Sequence, residues 1–310
     1  MNYKINNTMK FSFLILFSAL TLSTLAGEPE LKKIAVEEEP EPPAAVKTFH
    51  TTRIINGHAV DMLRKRELDF RILHRFGDMA TSGAGKTLFG IDNAADIRIS
   101  LEYGISNKLN VGLGRSKGAG PQTQLFDGFV KYNILQQMDD NSVPLSLTLL
   151  GTTSFTSMDA STDSTSPVSF HEGEWTQRLS YSSQLMISRK FSEAFSLQIS
   201  PTYVHRNYVA YEDKNGIFAI GAGIRVKVAK KMHLLAEYYY LFPSNRVVNG
   251  TKYYNPVGIG VEIVTFGHVF HITLTNSAGL GETQFIPHTY SDLTKGQFRL
   301  GFTISRIFNL

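Results

Sequence analysis

Asp96-Ile97-Arg98-Ile99-Ser100-Leu101-Glu102-Tyr103 alternates without a break. Ile97, Ile99, Leu101 and Tyr103 share one parity; Asp96, Arg98, Ser100 and Glu102 share the other. Successive side chains of a strand point to opposite faces, so the octet builds one apolar face and one charged face. A soluble sheet would bury the apolar face against a core. A closed barrel in a membrane turns that face to lipid and lines its lumen with the charges.

The same period returns along the chain. Phe126, Gly128, Val130 and Tyr132 alternate with Asp127, Phe129, Lys131 and Asn133, and Phe195, Leu197, Ile199 and Tyr203 with Ser196, Gln198, Ser200 and Thr202. Phe218, Ile220, Ile224 and Val226 oppose Ala219, Gly221, Gly223 and Arg225. Such runs predict twelve strands, centred near Phe70, Ile99, Val111, Val130, Leu147, Leu185, Ile199, Ile220, Ala236, Ile259, Ile272 and Phe302. The runs at Val111 and Ala236 are the weakest, and counting them differently gives ten or fourteen.

Short links (104–108, 136–142, 192–194, 229–231, 265–267) take turns with long polar ones (77–93, 114–123, 156–173, 207–214, 243–254, 276–295). That rhythm is the outer-membrane one, with turns in the periplasm and loops outside. Aromatics gather at strand ends, among them Tyr103, Trp175, Phe191, Tyr203, Tyr239 and Phe242, where an interfacial girdle would place them.

Outside the strands the chain has three further parts. Residues 1–26 read as a cleaved signal peptide: Lys4 and Lys10, an apolar run from Phe11 to Leu22, and Thr24-Leu25-Ala26 as the cleavage site. Residues 27–47 are acidic and Pro-rich (Glu37-Glu38-Glu39-Pro40-Glu41-Pro42-Pro43), too poor in apolar side chains to order themselves, and read as a disordered linker. Residues 48–66 carry Ile54, Ile55, Val60, Met62 and Leu63 and are expected to form a lead-in or a plug ahead of the barrel at 67–310.

Composition excludes several classes. With no Cys there are no disulfides and no Cys-linked lipid anchor. The formal charge of +4 falls to +2 when Lys4 and Lys10 leave with the signal, which gives no case for nucleic acid. Gly85-Lys86-Thr87 invites a phosphate-loop reading, but Ala80 stands where that motif needs Gly. No Ser motif is paired with a His, so neither an enzyme nor a cofactor is expected. His171, His205, His233, His268, His271 and His288 are scattered; His268 and His271 fall on opposite faces of a strand, so no metal site is expected either.

The candidate functional residues are the charges of lumen parity: Asp69, Arg71, Arg75, Asp96, Arg98, Glu102, Asp127, Lys131, Arg178, Arg225, Lys227, Glu237, Glu262 and Arg299. Two readings fit them. They pair into a closed interior, as charges held away from water must, or they line a narrow hydrated pore whose rings set selectivity. Gly221, Gly223, Gly258 and Gly260, which leave space around Arg225, Glu237 and Glu262, lean towards the pore.

His74-Arg75-Phe76-Gly77, Gly112-Leu113-Gly114-Arg115-Ser116, Ser196-Leu197-Gln198 with Pro201 and His205-Arg206-Asn207, Gly267-His268-Val269-Phe270 with Thr275-Asn276, and Ile304-Ser305-Arg306 together resemble a Bacteroidota family of β-barrel proteins of unknown function. The likeness covers residues 48–310. It implies an outer-membrane barrel and brings no activity, substrate or catalytic residue.

The sequence therefore predicts an all-β protein, a transmembrane antiparallel barrel of about twelve strands exported to a bacterial outer membrane. The expected function is a passive channel or small-solute transport protein. The alternative is a closed structural or interaction barrel that binds a partner through its loops or N-terminal segment. Expected partners are outer-membrane lipid, the barrel assembly machinery that the aromatic last strand would address, and a periplasmic partner through residues 28–66.

Overall fold

The protein, a computed structural model, is described at residues 43–118 and 120–310. The expected signal peptide and residues 27–42 of the expected linker lie outside the described residues.

The strands of the wall are β1 (Glu67–Asp78), β2 (Ala94–Ser106), β3 (Leu109–Lys117), β4 (Gln124–Leu135), β5 (Ser146–Thr156), β6 (Leu179–Lys190), β7 (Phe195–Arg206), β8 (Gly216–Ala229) and β9 (Met232–Phe242). A two-residue hairpin, β10 (Val247–Val248) and β11 (Thr251–Lys252), stands apart in the next loop, and β12 (Val257–Val264), β13 (Val269–Thr275) and β14 (Arg299–Asn309) complete the wall. Each of the twelve wall strands pairs antiparallel with its neighbours, and β1 closes on β14 with Ile72 opposite Ile304. All twelve coincide with the runs read from the sequence, Val111 and Ala236 included. Closure leaves no free ladder edge, the condition for a sheet to stand in hydrocarbon.

The two faces have the expected assignment. Ile99 is 47% exposed and Ile259 58%, while Arg98 on the other parity is 1% exposed and Lys131 fully covered. Apolar side chains outside and charged ones inside is the inverse of a water-soluble core. Tyr239 departs from the girdle expected of it: it points inward, buried, because its parity on β9 is that of Glu237 and Leu241.

Links 107–108, 191–194, 230–231 and 265–268 are short and lie at one end of the barrel; 79–93, 157–178, 243–256 and 276–298 are long and lie at the other. Both β1 and the last residues of β14 meet at the short-turn end, where Glu67 is opposite Asn309.

Among the described residues, two segments fill the interior. The first enters at the short-turn end, where Val46 N–H donates to Gln137 O (2.8 Å) and Asp139 N–H to Ala44 O (3.1 Å). Residues 44–46, placed by the sequence in the linker, are thus ordered on the turn after β4. Residues 48–63 then run inside the barrel, reversing at Asn56-Gly57 with Ile54 N–H donating to Gly57 O (3.0 Å) and Ala59 N–H to Thr52 O (2.9 Å). Gly57 is dictated by space: a Cβ there would lie 2.0 Å from the Tyr239 hydroxyl. Arg66 N–H reaches Gly104 O (2.8 Å) and returns the chain to the wall.

The second filler is the loop 276–298, which the sequence expected to stand outside. It folds back into the barrel and forms one helical turn, α1 (Glu282–Phe285), all four residues of which are buried. Phe285 and Ile286 pack on Val204, Ile217, Tyr239 and Leu241 of the wall. An apolar patch on the lumen side of β7 to β9 gives the loop a reason to leave water.

Candidate functional site in the lumen

The site is the contact between the wall and residues 48–63, the plug. Apolar anchors seat it: Ile54 and Ile55 cluster with Phe49, Ala59 and Leu235, and Val60 with Phe129, Leu150 and Met186. Each such side chain contributes about 1.5–3 kcal/mol when fully buried. The wall makes room for them with glycine. A Cβ on Gly223 would lie 2.3 Å from Ile54 Cδ1, and one on Gly258 2.9 Å from Ile55 Cγ2. Gly221 is filled by the Tyr239 ring and Gly260 by Thr273. The space expected at these four glycines is taken by side chains, because parity reports where a residue faces and not what stands opposite it.

Polar contacts fix the plug's position. Glu237 on β9 accepts from the backbone N–H groups of Ile55 (3.0 Å), Asn56 (3.0 Å) and Gly57 (3.1 Å), three donors of a tight turn converging on one carboxylate. Such charge-assisted bonds are the strong class. Gln198 accepts from Val60 N–H (2.7 Å) and donates to His58 O (2.8 Å); Thr148 Oγ1 donates to Val60 O (3.1 Å). Thr52 Oγ1 donates to Glu102 Oε2 (2.6 Å), and Lys131 Nζ to Asp61 O.

At its tip the plug meets the inward loop. His58 N–H donates to Glu282 Oε1 (3.2 Å), Arg53 Nη1 to Leu280 O (3.4 Å), and Arg75 on β1 binds Ser277 O and Gly279 O (2.7 Å each) together with Asn56 Oδ1. Arg53 Nη2 donates to His58 Nε2 (2.8 Å), which needs a neutral imidazole. Burial first, then the charges of Arg53 and Lys131, hold His58 well below the usual imidazole range. Between plug and loop, beside Arg53, His58, Asp127 and Glu282, the remaining cavity measures about 10 Å³, room for one water at most.

Of the fourteen charges, Asp69, Arg71, Arg75, Asp96, Arg98, Glu102, Lys131, Arg225, Glu237 and Glu262 are buried on the inner face. Asp69 pairs with Arg71 (2.5 Å), and Arg98 Nε donates to Asp127 Oδ2 (3.0 Å) on the half-covered carboxylate. Arg178 and Arg299 sit half-buried at the long-loop rim, Arg299 paired with Asp78 (3.1 Å), and Lys227 is exposed at the short-turn mouth. Of the three charges that the glycines were expected to surround, Arg225 and Glu262 meet (3.3 Å), but Glu237 lies deeper in the barrel and serves the plug. Arg53, Asn56, His58, Gln198 and Glu282 were not singled out from the sequence. No periodicity marks them, since their partners are brought together only by the plug and the folded loop.

Several solved structures are similar in fold at low identity. The NanC porin is 10% identical, with 78% of this chain and 99% of that one covered at a TM-score of 0.45. An outer-membrane channel from Pseudomonas putida F1 is 10% identical over 80% of this chain and 98% of its own, TM-score 0.48. The Acinetobacter baumannii outer membrane protein Omp33 is 7% identical over 79% and 99%, TM-score 0.44. At these values none of them says what this barrel carries. No curated protein matches the sequence. Residues 49–308 match the family model described as Membrane bound beta barrel domain (DUF5777). The match takes in the plug with every wall strand, and on it the chain belongs to this family of membrane-bound β-barrels.

Proposed function

We propose that the protein is a passive channel of a bacterial outer membrane, closed at rest by residues 48–63 together with the inward loop 276–298 and passing small solutes when both leave the lumen. What carries the reading is the chemistry of the covered wall. Ser100, Lys131, Gln184, Gln198, Thr202 and Glu237 face inward, groups that water satisfies as readily as the plug does. Exchanging a protein hydrogen bond for water costs only about 0.5–1.5 kcal/mol net, so the polar contacts oppose release little and the apolar anchors of the plug, Phe49, Ile54, Ile55 and Val60, set its cost. Outside, lipid takes the exposed apolar belt, and the aromatic β14 suits recognition by the assembly machinery. The periplasmic partner expected at residues 28–66 would meet only the part outside the lumen, since 48–63 are largely buried.

A second reading, a permanently closed interaction barrel, draws on the small residual cavity beside His58 and Glu282. Single-channel recording in planar bilayers separates the two. The parent protein should be closed with rare openings. Glu237→Gln weakens the acceptor for three N–H groups, at a cost of about 1.5–3 kcal/mol to the docked plug, and should open more often. If that variant inserts folded and stays as silent as its parent, the channel reading fails and the closed barrel stands.

A further inference from the structure

We propose that the short-turn mouth of the barrel binds a divalent transition-metal ion of the zinc class through His50 of the plug, His233 of β9 and Glu262 of β12, tying plug to wall. The three side chains come from segments far apart in sequence, yet one ligand atom from each lies within 4.8 Å of the other two. His233 Nδ1 is already 3.1 Å from Glu262 Oε1. Bonds of about 2.0–2.2 Å in a tetrahedral zinc site hold ligand atoms roughly 3.3–3.5 Å apart, so this pair needs almost no adjustment. The His50 ring, exposed and with its centroid 4.7 Å from that of His233, must turn to close the remaining distance.

A second observation points to a ligand. His233 is 1% exposed, and its Nδ1 faces Glu262 Oε1 at 3.1 Å without the alignment of a hydrogen bond. A buried ring nitrogen in so poor a contact is better satisfied by a metal ion between the two atoms. The carboxylate is held from behind: His271 Nε2 stands 3.3 Å from Glu262 Oε2, leaving Oε1 turned to the site. Carboxylate–histidine contacts of this kind orient metal ligands. Two imidazoles and one carboxylate suit zinc and leave a fourth position for water. A cavity of about 400 Å³, which reaches His50 and His233 past Lys47 and Lys227, gives the ion a way in.

One group opposes the ion. Arg225 Nε lies 3.3 Å from Glu262 Oε1, and Lys47 and Lys227 add positive charge nearby. The metal must displace Arg225, which lines the same cavity. Arg225 thereby becomes a handle on the site: without it the ion should bind more tightly, the reverse of what a merely structural ion pair would show.

The test uses the full chain in detergent, with Zn²⁺ titrated by calorimetry and Co²⁺ by its visible absorption. One ion per chain and a tetrahedral Co²⁺ spectrum are expected. His50→Ala, a change at an exposed residue, should weaken Zn²⁺ at least about tenfold, and His271→Ala by about 10- to 100-fold. Arg225→Gln should bind severalfold tighter, and His268→Ala, in the neighbouring turn, should match the parent. The readout is binding, so it stands whether or not the barrel conducts. Absence of stoichiometric binding would overturn the site, and equal binding by His50→Ala would overturn the tie to the plug.

Discussion

Ile99 and Ser100 are neighbours in sequence with opposite surroundings: Ile99 is 47% exposed on the outer belt, Ser100 8% exposed on the inner wall. Ile99→Arg should cost about 2–4 kcal/mol when the barrel folds into lipid vesicles, because a charge at mid-bilayer has neither water nor partner. A lumen full of water would make Ser100→Arg mild. The filled lumen makes it costly, since Ser100 lies across from Arg71 on β1 and Gly114 on β3, and a Cβ at Gly114 already meets the Arg98 guanidinium. Overpacking there should cost about 1–3 kcal/mol before any charge repulsion is added. Equilibrium denaturant unfolding of both variants in vesicles checks the pair; a Ser100→Arg barrel as stable as its parent would mean that the inner wall has room. Parity told the two residues apart from sequence. It could not tell wet from packed, because what faces Ser100 comes from elsewhere in the chain.

At the scale of elements, strands and plug are held by different forces and answer differently to pH. The wall is a closed backbone ladder with no titratable link in it. The plug docks through side chains, among them His58, fixed neutral against Arg53 and edge-on to Phe129 with ring centroids 4.6 Å apart. Its folded-state pKa lies well below the ordinary value of about 6.5, so the undocked segment binds more protons in the window beneath that value. The contribution of His58 to docking is therefore fully present above about pH 6.5 and is lost as pH falls towards the depressed value. Hydrogen exchange across residues 48–63 should rise between pH 7.5 and pH 5 while the strands stay protected, with those values roughly bracketing the ordinary histidine range. His58→Gln, which cannot gain a proton, should flatten the dependence; if it leaves the slope intact, another group governs the plug. The plug's apolar content was visible in the sequence, but its docking partners were not. Glu237, Gln198 and Thr148 look like any other inward polar residues until the segment lies against them.

Across the whole molecule the rhythm of links sets orientation. The long links gather at one end with the hairpin β10–β11, and the short turns gather at the other with both ends of the described wall. An epitope inserted within 157–173 should be labelled on intact cells and one within 192–194 should not; labelling of the short turn alone would reverse the barrel. An insertion near Phe285 should be silent on the surface and should damage folding, although loop length alone would have placed it outside, because Phe285 is fully buried. The sequence by itself located the strands and told which parity faces lipid, because both follow from local period, and its short links paired the strands that they join; the count of twelve and the closure of β1 on β14 were settled by the folded wall. Tertiary structure alone decided whether the lumen is open. That outcome depends on residues 48–63 and 276–291 meeting the wall and each other inside a closed ring, through contacts such as Asn56 with Glu237 and His58 with Glu282, each spanning well over a hundred residues. No period in the chain records a contact between one segment without regular structure and a wall built from the rest.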